Sequence, residues 1–219
     1  MNRLLLHKAA KPALFLLCLW PFATLLVGAL TNQLGANPAE ALVRGTGDWT
    51  LRMLLLTLAV TPLRQATGWH ALARMRRMLG LFTAFYGVWH FLSYAWLDMG
   101  FDPAAIVKDI GKRPFILVGS TALLMMLPLA ATSFNAAIRR LGAARWQRLH
   151  RLIYIIAPLG ILHFFWMRAG KRLYGEVAVY AVILALLLGW RLLRRLRASA
   201  QASASASRNT RGTNPGSAG

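Results

Sequence analysis

Six apolar stretches recur along the chain, at roughly 13–31, 50–67, 78–97, 114–133, 149–167 and 175–193, with short polar connections between them. Stretches of about 18 or more apolar residues predict helices long enough to cross a bilayer. The pattern therefore predicts an all-α fold, an integral membrane bundle of six helices. The first stretch reads as an uncleaved anchor: it is longer than a signal-peptide core, and no small-residue cleavage site follows it. Residues 98–113 place apolar and polar positions at helical spacing and predict a short amphipathic helix on the membrane surface. From Ala198 the chain becomes ASAQASASASRNTRGTNPGSAG, a low-complexity run that predicts disorder. The expected organisation is a terminal segment over 1–12, a six-span domain over 13–197 and a disordered tail over 198–219.

Composition agrees with the pattern. Hydrophobic residues make up 57% of the 219 and the mean hydropathy is +0.48. The lone Cys18 excludes an internal disulfide, and no C-x-x-C, P-loop or acidic metal cluster is present. The net charge of +20 invites a nucleic-acid reading, but the basic residues are spread over separate segments flanking the spans. With the N-terminus in the cytoplasm, 18 of the 26 basic residues fall on the cytoplasmic side. Among them are Arg74, Arg76 and Arg77, the arginines at 139, 140, 145, 148 and 151, and those at 191, 194, 195 and 197. The eight others and all six acids (Glu40, Asp48, Asp98, Asp102, Asp109, Glu176) fall on the opposite side. The positive-inside bias thus predicts that both termini are cytoplasmic.

Three histidines interrupt the apolar stretches: His90, His150 and His163. Ionisable groups at membrane depth are costly and usually functional. His90 lies 12 residues into the third span and His163 lies 14 into the fifth. At ~1.5 Å per residue their rings sit at similar depths, so two imidazoles could supply both axial positions of one haem iron. Each histidine has a glycine three residues earlier, Gly87 and Gly160. These glycines either clear space for a flat macrocycle or permit close helix packing. His150 precedes His163 by ~20 Å along an ideal helix but about 140° out of phase, with Pro158 between them. No histidine opposes it, since Arg76 and Arg77 stand at the matching depth of the third span. It reads either as a ligand of an inner cofactor or as an interfacial histidine. Arg76 and Arg77 satisfy the positive-inside rule, and their forks would also suit haem propionates or a flavin phosphate.

Several motifs carry a family resemblance across residues 10–197: Thr61-Pro62-Leu63, Arg76-Arg77-Met78-Leu79-Gly80-Leu81, His90-Phe91-Leu92-Ser93-Tyr94-Ala95, Lys112-Arg113-Pro114, Thr132-Ser133, Trp146-Gln147-Arg148-Leu149-His150 and His163. In these the chain resembles the MsrQ (YedZ) family, the haem-binding membrane subunits of bacterial periplasmic methionine sulfoxide reductase systems. The resemblance implies a ferric-reductase-like transmembrane domain binding one or two haems b, and FMN. It implies electron transfer from quinol, or from a cytoplasmic flavin reductase, to a periplasmic molybdopterin-containing catalytic subunit in a heterodimer. The chain would then be the redox subunit and not the catalytic one. Competing readings are a ferric-reductase-like cytochrome with another acceptor and a small transporter using the histidines as proton relays. The absence of paired intramembrane carboxylates and of inverted repeats weighs against the transporter.

Overall fold

The computed structural model describes residues 6–169 and 174–212. Arg3, Lys171, Arg172 and residues 213–219 lie outside the described residues. The described elements are all helical: α1 (Ala10–Leu30), α2 (Pro38–Thr67), a 3-10 turn (His70–Arg74), α3 (Arg76–Leu97), α4 (Pro103–Lys112), α5 (Pro114–Ala131), α6 (Asn135–Leu141), α7 (Ala143–His150), α8 (Ile153–Ala169) and α9 (Tyr174–Gly212).

Local chemistry sets several boundaries. Asn37 caps α2 by accepting from the Glu40 N–H, with Pro38 in the first turn, and Gly68 ends the helix in the left-handed region at φ 71°. Asp102 accepts from the N–H groups of Ala104 and Ala105, with Pro103 behind it, and so starts the amphipathic helix α4 within the 98–113 segment. Pro114 then starts α5 directly after Arg113.

Long helices cover all six apolar stretches. Four segments, Ala10–Leu30, Pro114–Ala131, Ala143–Ala169 and Tyr174–Ser203, are long and apolar enough to cross a membrane by length and composition. Helices α2 and α3 are not among them. They are the interior of the bundle: buried positions run from Thr46 to Val60 on α2 and from Leu79 to Ala95 on α3. A helix shielded by its neighbours can carry polar groups that lipid would reject. One apolar cluster joins α2, α8 and α9 around Leu54, Leu58, Ala157 and Leu184. A second joins α1, α2 and α3 around Cys18, Met53 and Tyr86. A third joins α3, α5 and α8 around Ala84, Met126 and Ile156. The inner four are therefore α2, α3, α5 and α8. Helices α1 and α9 flank them with exposed Leu16, Leu17, Trp20, Val182 and Leu186, an apolar surface suited to lipid.

Helix α9 continues past Ala198 to Gly212, and residues 213–219 of the expected tail lie outside the described residues. Alanines at alternate positions in 198–206 favour helix, and extending a formed helix avoids the cost of nucleation. The fifth stretch is also divided. His150 ends α7 and His163 lies on α8, with Arg151 and Leu152 making three-residue backbone bonds between them. The angular offset expected for one continuous helix therefore does not relate the two rings.

Side chains repair backbone interruptions. Pro62 has no N–H for the Leu58 carbonyl, and Arg191 of α9 donates to that oxygen instead. Beside Pro21, the Tyr86 hydroxyl enters the Cys18–Phe22 turn of α1, donating to the Cys18 carbonyl at 2.8 Å and accepting from the Phe22 N–H at 3.0 Å. Tyr86 is fully buried. Tyr86→Phe removes both bonds and leaves buried backbone groups short of a partner, at about 1–3 kcal/mol. Thermal unfolding in detergent should show a lower midpoint, and an unchanged midpoint contradicts this role for the hydroxyl.

Candidate functional site, a cavity between two histidines

A cavity of about 360 Å³ opens between α2, α3, α5 and α8. Its walls include Leu51, Leu54, Leu123, Met126, Ile156 and Phe164, and polar groups gather at one end, among them Asn37, Glu40, Arg44, Asp48, Tyr94, Asp98 and Arg113. Both His90 and His163 line it, with ring centroids 5.9 Å apart and planes at 74°. The two rings come from different helices, so neither position alone defines the site.

The rings are held in the same way. His90 Nδ1 lies 2.8 Å from the Val43 carbonyl and His163 Nδ1 lies 2.6 Å from the Phe115 carbonyl. A carbonyl only accepts, so each Nδ1 carries the proton and each Nε2 keeps its lone pair. Four residues beyond each carbonyl is a glycine. A Cβ on Gly47 would stand 3.0 Å from the His90 ring, and one on Gly119 would stand 2.7 Å from His163 Nδ1. Each imidazole thus lies over a helical turn that only glycine leaves open. Gly47 and Gly119 are the positions that sequence reasoning missed, because nothing in local spacing ties them to histidines on other helices.

Gly87 and Gly160 also line the cavity, but they do not face the imidazoles. A Cβ on Gly87 would meet Leu123 at 3.3 Å and Thr50 at 3.5 Å, while one on Gly160 would meet Leu51 and Leu54 at 3.8 Å. Gly87 thus faces α2 and α5 across the cavity lining and not either imidazole.

His150 is not in this cavity. It stacks on Trp146 at 3.9 Å between ring centroids, with Nδ1 3.1 Å from the Trp146 carbonyl and Nε2 3.5 Å from Ser133 Oγ. The Trp146 indole N–H donates to the Thr132 carbonyl at 2.9 Å. Arg77 donates to Asn135 Oδ1 at 2.8 Å, and Arg76 lies within electrostatic reach of His150. Neither arginine lines the cavity. As anchors for a group held between His90 and His163, they are therefore in the wrong place.

The acids concentrate at the polar end of the cavity. Arg168, only 7% exposed, donates to Glu176 at 2.9 Å, lies 3.9 Å from Asp48 and stands over the Phe164 ring at 5.2 Å. This contact draws α2, α8 and α9 together. On the other side, Asp109 of α4 accepts from the Tyr94 hydroxyl at 2.7 Å and from Arg113 Nε at 2.6 Å. It so ties the surface helix to α3, one turn beyond His90, and to the start of α5. Burial raises the Asp109 pKa, but the hydrogen bonds from Tyr94 and Arg113 and the charges of Arg113 and Lys112 outweigh it, and the carboxyl is held below its usual value of 3.8. A depressed carboxylate contributes stability above its unfolded pKa and loses it as pH falls through the folded one. The tether should persist from neutral pH down to about pH 4 and release below that. Asp109→Asn should remove this acid limb from a pH series of thermal midpoints; an identical limb in the variant would assign it to another group.

Two neutral imidazoles can bind one metal ion from opposite sides. With about 2 Å per metal–nitrogen bond plus each ring's own radius, their centroids fall about 6 Å apart, close to the observed separation. No cluster of three or more metal-ligating side chains occurs among the described residues. A metal here would need its other ligands from a macrocycle. The apolar walls suit such a disc, and Ser120, beside Gly119, lines the cavity with a buried hydroxyl that has no partner in the protein. The residues present fit a haem.

Comparison with known proteins agrees with this architecture. The family described as ferric reductase like transmembrane component matches residues 46–161, which run from within α2 to the middle of α8. A protein from Polaromonas naphthalenivorans named protein-methionine-sulfoxide reductase heme-binding subunit MsrQ is 67% identical over 188 residues, covering 86% of each chain. Proteins with the same name are 56% identical in Ralstonia nicotianae, over 84% of this chain and 85% of that one, and 54% identical in Azospira oryzae, over 87% and 81%. No solved structure matches. With four apolar helices, a ferric-reductase-like transmembrane region and this degree of identity over most of its length, the chain is a membrane protein and belongs to the MsrQ family.

Proposed function

We propose that this chain is a haem b electron-transfer subunit of a protein-methionine-sulfoxide reductase, in which His90 and His163 would hold the haem. The observation that carries the reading is the pair of imidazoles 5.9 Å apart in an apolar cavity, each with Nδ1 committed to a carbonyl and Nε2 left for iron. The names of the relatives support it. Bound haem supplies a one-electron couple in a site from which protein has displaced water. The chain's own residues then have three tasks. His90 of α3 and His163 of α8 would hold the iron. The Val43 and Phe115 carbonyls fix the rings. The leucines, Met126 and Phe164 exclude solvent.

Direction follows from the charge asymmetry. The arginine-rich end faces the cytoplasm under the positive-inside rule, which puts the cavity in the outer half of the bundle. Electrons would enter from quinol or a cytoplasmic flavin reductase and leave to a periplasmic molybdopterin-containing catalytic subunit, in the bacterial inner membrane. His150, stacked on Trp146 at the opposite end, is the candidate for supporting an entry cofactor.

The test uses purified full-length protein. A reduced-minus-oxidised spectrum should show a low-spin b-type signal with at least one haem per chain. Adding the catalytic subunit and a reductant should then drive methionine sulfoxide reduction only when this chain is present. A haem-free preparation, or ferric iron reduction with no coupling to sulfoxide, would overturn the reading in its first or second part.

A further inference from the structure

The polar end of the cavity has a doubled design that the histidines alone do not explain. On α2, Glu40 pairs with Arg44 at 2.5 Å, Val43 offers its carbonyl to His90, and Gly47 clears the ring. On the opposite wall, Asp109 pairs with Arg113 at 2.6 Å, Phe115 offers its carbonyl to His163, and Gly119 clears the ring. Each wall thus has an acid, an arginine four residues later, a histidine-holding carbonyl within two residues of that arginine, and a glycine four residues after the carbonyl. Two arginines are therefore delivered to the same end of the cavity, one from each side.

We propose that Arg44 and Arg113 are the carboxylate anchors of this site and hold the two propionates of haem at its mouth. The inference rests on the haem reading above. Arg44 and Arg113 are the only lysine or arginine side chains lining the cavity among the described residues. The other cations nearby have different tasks: Arg52 donates to the Tyr180 hydroxyl and stands over Trp49, and Arg168 serves Asp48 and Glu176. A guanidinium has five N–H donors. In each pair one donor nitrogen serves the neighbouring acid, Nη2 in Arg44 and Nε in Arg113, and the rest of the fork stays available to a second carboxylate. The acid orients the arginine, and its geometry matches a carboxylate better than a lysine would. The side chains of Arg44 and Arg113 are 28% and 46% exposed, so each is partly buried in the wall and partly open to solvent. Glu40 is offset by Arg44 and Asp48 faces Arg168, which leaves Asp98 as the lining carboxylate with no arginine beside it in these pairs.

The experiment loads full-length protein in nanodiscs with either iron protoporphyrin or its dimethyl ester, in which both carboxylates are capped. Release of each to excess apomyoglobin is then timed. A charge-assisted hydrogen bond lost at each anchor should speed release about tenfold. The wild type is expected to release the diester roughly 100-fold faster than the free acid, by the same principle applied twice. Arg44→Gln and Arg113→Gln should each speed release of the free acid about tenfold and leave release of the diester unchanged. Asp98→Asn, which removes a charge of the opposite sign, should not speed release. Equal acceleration of both porphyrins in the arginine variants would show a merely structural role and overturn the assignment. So would equal release of the two porphyrins from the wild type, a test that needs no variant. A wild type that takes up neither porphyrin overturns the haem reading along with it, whereas one that binds both and releases them alike overturns this inference alone.

Discussion

Purified His90→Ala and His163→Ala proteins should have lost the b-type spectrum of the cavity, with haem per chain falling below about one tenth of the wild-type value. The basis is geometric. Each ring is fixed by one carbonyl, 2.8 Å away for His90 and 2.6 Å for His163, and no cluster of three or more metal-ligating side chains among the described residues offers a substitute site. Removing an outer partner of a metal ligand costs ~10–100-fold in affinity, so removing the ligand itself should cost more. His150→Ala is the informative companion. His150 lies outside the cavity and spends its ring on Trp146 and Ser133, so the cavity haem should remain in that variant. Pyridine haemochrome assay on all three proteins makes the comparison. Full haem in both His90→Ala and His163→Ala would sink the ligand assignment, and its loss from His150→Ala alone would move the site to the other end of the bundle.

The second large effect is expected from a single methyl group. In an ordinary helix Gly→Ala stabilises by about 1 kcal/mol. At Gly119 the new Cβ would stand 2.7 Å from His163 Nδ1 and 2.8 Å from Cε1, while the ring is held by the Phe115 carbonyl on the same turn. Either the hydrogen bond breaks or α8 moves away from α5. Overpacking of this kind costs about 1–3 kcal/mol, and a misplaced ring should lower haem affinity ~10–100-fold. Gly47→Ala, at 3.0 Å from the His90 ring, should have the same sign with a smaller size. Gly160→Ala, whose Cβ meets only leucines at 3.8 Å, is the control and should retain haem. Haem titration of the three apoproteins, with thermal midpoints, measures both effects. If Gly119→Ala binds haem like the control, the glycine does not position the ring.

Both predictions depend on residues of unequal visibility. His90 and His163 could be read from the chain, because an imidazole inside an apolar stretch is costly and points to a ligand wherever it occurs. The helices could be read for a similar reason: each apolar run must bury itself in lipid or protein, and Pro, Asn, Asp and Gly mark where α2, α4 and α5 begin or end. The helix beyond Ala198 was less legible, because alanines that favour helix alternate there with serines that favour it less. The separation of His150 from His163 was not legible, because apolar patterning runs through the two-residue break at Arg151–Leu152 without a mark. Arg76 and Arg77 carry forks suited to a propionate or a phosphate, but they lie at the first turn of α3, near Asn135 and His150 and away from the cavity.

By itself, then, the sequence determined the all-helical character, the position of the long helices, the asymmetry of charge and the two ring-bearing positions. Each of these follows from composition over one turn or one span, where transfer free energy and helical periodicity act locally. Only the tertiary structure decided that His90 meets His163, that Gly47 and Gly119 make room for them, and that Arg44 and Arg113 arrive together at the cavity mouth. Those relations depend on which faces of α2, α3, α5 and α8 pack together. That choice is made by shape and close packing between segments far apart in the chain, and no local pattern records it.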